Sequence, residues 1–141
     1  MEVGIFGLIR NEEGKILLVQ DATRQRKWGL PGGGLKFKEI PTHALVREVK
    51  EEVGVEAHVG KLLGIFAQQK TPGIVILFEA VITNGKPQPD GKEVAAWQFL
   101  SLDEMLIKRE EIKPAQLSMV FQVLRAQEFP IFGDFTPRAE S

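Results

Sequence analysis

Three glutamates stand at helical spacing in the middle of the chain, at Glu48, Glu51 and Glu52. At about 100° per residue, these positions share an arc of roughly 100° on one helix. Like charges three and four residues apart repel each other by about 0.2–0.5 kcal/mol per pair in an exposed helix. A hard divalent cation held by carboxylate oxygens would remove that repulsion. The spacing therefore indicates a cation site, with Mg²⁺ as the expected ion and Mn²⁺ as a substitute.

The composition of the whole chain also points to oxygen ligands. The 141 residues contain no cysteine and only two histidines, His43 and His58. This excludes disulfides, thiolate zinc sites and thiol nucleophiles. Nineteen acidic residues against eighteen basic ones give a net charge of -1, so the chain has no overall field for nucleic acid or an anionic membrane. We expect neither as a partner.

The first residues carry no recognisable targeting signal. They lack a basic segment, a small-residue cleavage site and an apolar run of membrane-spanning length. We therefore expect a soluble, cytoplasmic protein.

An arginine and a loop carboxylate lie close to the three glutamates in sequence. Arg47 stands four residues before Glu51 and eight after Glu39, and a planar guanidinium can hold a carboxylate through two parallel hydrogen bonds. Gly33 belongs to a run of three glycines, where the backbone can turn sharply and approach a ligand or metal closely.

One helix is predicted to carry the acidic residues. The segment 41–53 begins with Pro41, which suits a first helical turn, and is followed by Gly54, which suits a helix end. Its apolar stripe lies beside the acidic arc, so the helix can pack by one stripe and present carboxylates along the next. The preceding segment 28–34 contains a proline and three glycines, which predicts a loop without regular structure.

The remaining segments predict strands followed by helices. A hairpin is expected first, and the full set of strands is 3–9, 15–20, 58–66, 73–82 and 95–100. Two later helices begin at the capping box of Ser101 and at Pro114. The phenylalanine-rich tail 129–141 either docks on a sheet edge or frays. We predict a single domain over 1–141, of the α/β (α+β) class with a central mixed β-sheet.

The acidic segment resembles the Nudix box. Every defined position of that 23-residue signature is matched within 33–55, by Gly33, Glu39, Arg47, Glu48, Val49, Glu51, Glu52, Gly54 and Val55. With each residue type near its average abundance, a chance match is on the order of one in ten million. On this resemblance the chain is identified as a member of the Nudix hydrolase family, as a MutT-like nucleotide pyrophosphatase. The resemblance implies the Nudix αβα sandwich and hydrolysis of the pyrophosphate bond of a nucleoside diphosphate linked to another moiety.

The resemblance also implies roles for the acidic residues and for Arg47. Glu51 and Glu52 would be the main ligands of Mg²⁺, and Glu48 would be a ligand or the general base. Arg47 and Glu39 would form the pair that orients these groups.

Further residues are assigned around this centre. Gly33 would approach the metal and the substrate through its backbone, and Glu93 is the candidate for the later-loop ligand that many family members add. Lys36 and Lys38 replace an acid and a glycine that are frequent in the family, which bears on loop conformation and substrate choice. The basic residues expected to meet substrate phosphates are Arg24, Arg26, Lys36 and Lys38.

The substrate stays open among nucleotide derivatives. The absence of tyrosine disfavours diadenosine polyphosphates, whereas Pro72, seventeen residues after Val55, favours ADP-ribose or a nucleotide sugar by family likeness. A nucleoside triphosphate is also compatible. The alternative is a non-catalytic nucleotide-sensing module, which would be expected to have lost a box carboxylate. The family likeness further allows a homodimer.

Overall fold

The chain folds into two β-sheets with helices on both sides, in a computed structural model that describes residues 2–23, 25–68 and 70–135. The strands are β1 Glu2–Ile9, β2 Ile16–Asp21, β3 Trp28–Gly29, β4 Gly32–Gly34, β5 Glu56–Ala67, β6 Gly73–Asn84, β7 Val94–Leu100 and β8 Ile131–Gly133. The α-helices are α1 Pro41–Val53, α2 Leu102–Ile107 and α3 Pro114–Arg125.

The larger sheet is mixed, as the sequence predicts. Its strand order is β4-β1-β6-β5-β8. Strand β1 runs parallel to β6 and antiparallel to β4, and β5 runs antiparallel to β6 and parallel to β8. The smaller sheet is antiparallel, in the order β3-β2-β7.

Helix α1 and helices α2 and α3 cover opposite faces of these strands. In β1, Ile9 packs in the core formed with α1, whereas its neighbour Leu8 packs in the core formed with α2 and α3. Residues of β2 alternate in the same way, since successive side chains of a strand point to opposite faces. Strands covered on both faces are apolar throughout. The predicted αβα sandwich is confirmed.

The predicted hairpin of the first two strands is wrong. Among the described residues, backbone pairing between β1 and β2 is limited to a bridge between Arg10 and Ile16 and the turn bond from the Asn11 N–H to the Lys15 carbonyl (2.9 Å). The two strands then enter different sheets. Strand β1 already has β4 and β6 on its two edges, so no edge is free for β2.

The expectation of an irregular loop over 28–34 is also wrong, because this segment contains β3 and β4. At Gly32 the backbone comes so close to β1 that a Cβ atom would lie 2.1 Å from the Ile5 carbonyl oxygen. The glycines therefore permit a tightly apposed strand instead of preventing one.

Other local predictions are confirmed. Helix α1 has the predicted bounds, and Gly54 ends it in the left-handed conformation with φ 70°. Ser101 and Glu104 form the capping box through bonds of 3.2 and 2.8 Å. In the tail, β8 docks on the edge of β5, and the ring of Phe135 stacks on Phe66 at 5.7 Å. Residues 136–141 lie outside the described part of the chain.

Candidate active site

Arg47 is the centre of a hydrogen-bond network at the side of α1. Its Nε and Nη2 donate to the two carboxylate oxygens of Glu39 at 2.7 and 3.0 Å. Its Nη1 donates to Glu48 at 2.9 Å and to Glu51 at 2.8 Å, and Nη2 also reaches the Gly34 carbonyl at 3.2 Å. The loop before α1, strand β4 and the helix are therefore joined through one guanidinium.

The contact with Arg47 determines the ionisation of Glu39. Hydrogen bonds from Arg47 and from the backbone N–H of Lys36 lower the pKa of Glu39 to about 2. Hydrogen bonds with Glu39, Glu51 and Glu48 raise the pKa of Arg47, and the bond with Glu39 contributes most. The pair that the sequence predicts is thus brought together as a bidentate ion pair.

Three carboxylates converge on the other side of this network. Oxygen atoms of Glu48, Glu52 and Glu93 lie within 4.8 Å of one another. Glu48 and Glu52 come from successive turns of α1 and are only 9% and 7% exposed, whereas Glu93 comes from the loop before β7 and is exposed. The Gly32 N–H donates to Glu52 at 3.0 Å.

Burial makes the charges of this cluster costly. It raises the pKa of Glu52 to about 8. The negative charges of Glu48, Glu93 and Asp90 raise this pKa further, whereas the hydrogen bond from Gly32 lowers it. Burial also raises the pKa of Glu48, although Arg47 opposes it. A divalent cation would compensate these carboxylates, and three carboxylates are the hard oxygen donors that Mg²⁺ and Mn²⁺ prefer. The residues present therefore fit such an ion.

Gly33 makes room for one member of the cluster. A Cβ atom at this position would lie 2.6 Å from both Cδ and Oε1 of Glu48. Gly33 pairs with Ile5 in the β4–β1 ladder, so the sheet fixes this close approach. The observed neighbour of the glycine is thus the Glu48 carboxylate, and its predicted approach to metal and substrate stays a prediction.

Glu51 lies outside the group formed by Glu48, Glu52 and Glu93. Its side chain is 47% exposed and is held by Arg47 at i, i+4 spacing. The helical spacing correctly places the three glutamates on one side of α1, but it does not distinguish buried from exposed carboxylates. Glu93 joins the cluster from the loop before β7, as the resemblance to the Nudix family suggests.

The basic residues predicted to contact phosphates lie close in sequence to the elements that carry the site. Lys36 and Lys38 are exposed in the segment between β4 and α1, and Arg26 is exposed shortly before β3. Arg24 lies outside the described residues. Their contacts with substrate stay predictions.

A cleft of about 270 Å³ adjoins the carboxylate cluster, and Glu52 and Glu93 contribute to its lining. It also includes three polar side chains that the sequence analysis did not single out: Asp21, Lys113 and Gln116. Lys113 Nζ lies 3.6 Å from Asp21, and the Gln116 side-chain oxygen accepts a bond from the Leu30 N–H at 2.5 Å. No local pattern marks these residues. Asp21 ends β2, whereas Lys113 and Gln116 lie at the start of α3, and tertiary packing brings the two elements together at the cleft.

No helix among the described residues has both the length and the apolar character needed to cross a membrane.

Comparisons with known proteins place the chain in a class and a family. The layered fold is that of solved Nudix hydrolase structures. The profile of the NUDIX domain matches residues 1–122. The chain therefore belongs to the Nudix hydrolase family.

Similar proteins agree with this assignment. A human diphosphoinositol polyphosphate phosphohydrolase 3-alpha is 45% identical over 60 residues, which are 43% of this chain and 37% of the human protein. The match thus spans little more than a third of that relative.

Solved structures match over most of the chain. A UDP-X diphosphatase structure is 26% identical with a TM-score of 0.73 and covers 93% of this chain and 66% of its own. A Streptococcus suis ADP-ribose pyrophosphatase, at 24% identity and a TM-score of 0.71 over 94% of this chain and 98% of its own, supports the fold.

Proposed function

We propose that the protein is a Mg²⁺-dependent hydrolase that cleaves the pyrophosphate bond of a nucleoside diphosphate linked to another moiety. The observation that carries this proposal is the convergence of Glu48, Glu52 and Glu93 within 4.8 Å beside a cleft. The complete Nudix box over 33–55, which contains α1, supports the same reaction class. In this proposal residues 1–141 form one Nudix domain.

The charge of the substrate explains why a cation is needed. A pyrophosphate is polyanionic and would be repelled by the carboxylate cluster alone. Bound Mg²⁺ would neutralise charge on the phosphate oxygens and lower the pKa of a water for attack on phosphorus. Glu48, Glu52 and Glu93 would hold the ion, and Arg47 would fix the orientation of Glu48 while Glu39 fixes Arg47.

Glu51 keeps its predicted role as a ligand under one condition. Its carboxylate is bonded to Arg47 at 2.8 Å, so it would have to leave that bond to join the cluster. Its 47% exposure leaves it accessible from solvent. Once free of Arg47, the same carboxylate would also be able to accept a proton from the attacking water.

The cleft favours a polar moiety beyond the diphosphate. Lys113 and Gln116 present an ammonium and an amide in the same lining as Glu52, and such groups suit ribose hydroxyls or a further phosphate. Two similar proteins, a UDP-X diphosphatase and a diphosphoinositol polyphosphate phosphohydrolase, are both named for a diphosphate. We propose a nucleotide sugar or ADP-ribose as the first substrates to test, with nucleoside triphosphates next.

Pro72 adds less to this choice than its position in the sequence suggests. It lies in the connection between β5 and β6, and its carbonyl accepts a bond from the Glu2 N–H at 3.2 Å. This contact aligns the start of β1 with β6. The presence of Pro72 therefore has a structural explanation as well as the likeness to ADP-ribose-cleaving family members.

A substrate panel with Mg²⁺ or Mn²⁺ tests the proposal. The panel contains ADP-ribose, UDP- and GDP-sugars, nucleoside triphosphates, dinucleoside polyphosphates and a diphosphoinositol polyphosphate. Nucleoside monophosphate, pyrophosphate and phosphate are measured separately, because each cleavage position yields a different product set. We expect metal-dependent release of a nucleoside monophosphate. Tight binding of a panel member without any product would favour the sensing module instead.

A further inference from the structure

The carboxylate cluster depends on one residue that does not come from a helix or strand. Glu93 lies in the connection between β6 and β7 and is exposed. Glu48 and Glu52, by contrast, are fixed by the packing of α1. An exposed side chain outside the helices and strands loses conformational entropy on joining the cluster, and the loss is larger where its backbone is not held in place. Something must therefore fix the backbone of Glu93.

We propose that Asp90 is the positioning residue that fixes Glu93 in the carboxylate cluster, an inference that rests on the proposed metal-dependent function. One carboxylate oxygen of Asp90 accepts hydrogen bonds from three consecutive backbone N–H groups. They are those of Lys92 at 3.0 Å, Glu93 at 3.0 Å and Val94 at 2.9 Å. The backbone on both sides of Glu93 is thus held by one atom.

A second set of bonds ties this turn to the rest of the site. The Asp90 N–H donates to the carbonyl of Glu52 at 3.2 Å, and the Gln88 N–H donates to the carbonyl of Val53 at 2.7 Å. The Glu93 carbonyl accepts from the Ala22 N–H at 2.9 Å. Asp90 therefore bonds to the backbone of two members of the cluster, Glu52 through its own N–H and Glu93 through its carboxylate.

Inside the turn, the three bonds to Asp90 act beside one backbone bond. The Gly91 N–H donates to the Val94 carbonyl at 2.9 Å, and Gly91 has φ 76°. Without the Asp90 oxygen, the N–H groups of Lys92 and Glu93 lose the partner that defines this geometry. Glu93 would then sample positions away from Glu48 and Glu52, and the cluster would offer two carboxylates for most of the time.

Asp90 could instead act through its charge, since that charge contributes to raising the pKa of Glu52. An asparagine distinguishes the two roles. It keeps a side-chain oxygen that can accept the three N–H bonds but carries no charge. A positioning role predicts that Asp90→Asn behaves like the unaltered chain, whereas a charge or ligand role predicts that it behaves like Asp90→Ala.

The test is a Mn²⁺ titration of the full chain, followed by electron paramagnetic resonance, which requires no substrate. We expect Asp90→Ala to raise the dissociation constant about tenfold, in the range typical when a ligand loses its supporting hydrogen bonds. Asp90→Asn should stay within about twofold of the unaltered chain. Glu93→Gln should match Asp90→Ala, and the double variant Asp90→Ala/Glu93→Gln should be no weaker than Glu93→Gln alone.

Several outcomes would overturn the inference. They are an unchanged dissociation constant for Asp90→Ala, a loss in Asp90→Asn equal to that in Asp90→Ala, or additive losses in the double variant. If Asp90→Ala fails to fold by thermal melting in metal-free buffer, Asp90→Ser, which retains a shorter acceptor, replaces it with an intermediate loss expected. A protein that binds Mn²⁺ in this pattern but hydrolyses no panel member would refute the proposed function and leave the role of Asp90 intact.

Discussion

Glu39 and Glu52 belong to the same box but have opposite electrostatic environments. Both oxygens of Glu39 accept bonds from Arg47, and a backbone N–H adds a third, so its pKa falls to about 2. Glu52 is 7% exposed and accepts one bond from the Gly32 N–H, and its pKa rises to about 8. Within residues 2–23, 25–68 and 70–135, no arginine or lysine forms an ion pair with Glu52.

The difference separates two uses of a carboxylate. At Glu39 the protein supplies its own cation, and the result is a fixed pair that orients a helix and a loop. At Glu52 burial disfavours the negative charge and no side-chain cation compensates it, so ionising this carboxylate costs stability unless an ion binds from solution. The comparison predicts that changes at Glu52 affect metal binding first. Changes around Glu39 should instead affect the orientation of the groups that Arg47 holds.

The largest effect is expected for Glu52→Gln. The substitution keeps the shape and the bond from Gly32 but removes a ligand charge. Because metal catalysis supplies several kcal/mol, turnover should fall by about three orders of magnitude. Turnover is measured on the best panel substrate at saturating Mg²⁺. The control is Glu56→Gln, which removes the glutamate of a surface pair with Lys50, and it should retain nearly full activity.

Removal of the guanidinium should have the second largest effect. Arg47→Ala would release Glu39, Glu48 and Glu51 together, and kcat should fall by about 10–100-fold, as for other groups that orient ligands. Arg47→Lys should recover little, because an ammonium cannot bond both oxygens of Glu39 in parallel. An NMR titration should show the pKa of Glu39 moving from about 2 toward its ordinary value of 4.5 in Arg47→Ala. Unchanged kcat in both variants would contradict an orienting role.

A smaller effect is expected for Gly33→Ala. The added methyl group would fall 2.6 Å from Glu48 Oε1, and the flexible carboxylate can move aside without unfolding the strand. The Mg²⁺ concentration for half-maximal activity should rise by about tenfold. Gly34→Ala is the matched control, since its methyl group would meet no atom within 4 Å. Equal behaviour of the two variants would count against close packing of Gly33 on Glu48.

The smallest effect concerns the stability of the metal-free protein. Because the pKa of Glu52 rises from 4.5 to about 8 in the folded state, the folded chain binds more protons than the unfolded chain between these values. Stability should therefore fall as pH rises from about 5 to 8. Thermal melting in chelator should show this decline, and Glu52→Gln should weaken it. A decline of the same size in Glu52→Gln would assign it to other groups, Glu48 foremost.

Local features were predictable from the sequence, and long-range ones were not. Helix α1, its end at Gly54 and the pairing of Arg47 with Glu39 depend on neighbours within a few turns, so spacing was enough to find them. The predicted hairpin is wrong because strands at the start of a chain can pair with partners far along it. Here β4 and β6 occupy the edges of β1.

The candidate site follows the same division. Helical spacing indicated Glu48 and Glu52 but gave Glu51 the same weight, because an arc on a helix does not report how deeply each residue is buried. Glu93 was found only by family likeness. Lys113 and Gln116 enter the cleft through α3, more than fifty residues after the box, and no periodicity relates them to it.

A direct Mn²⁺ titration of Glu52→Gln beside Glu51→Gln tests the central claim. The claim is that the cluster of Glu48, Glu52 and Glu93, and not Glu51 in its ion pair with Arg47, binds the divalent cation. It is performed on folded, substrate-free protein with free Mn²⁺ followed by electron paramagnetic resonance. We expect the dissociation constant to rise by about 100-fold or more in Glu52→Gln and by less than about tenfold in Glu51→Gln. Equal affinity of Glu52→Gln and the unaltered chain would contradict the claim.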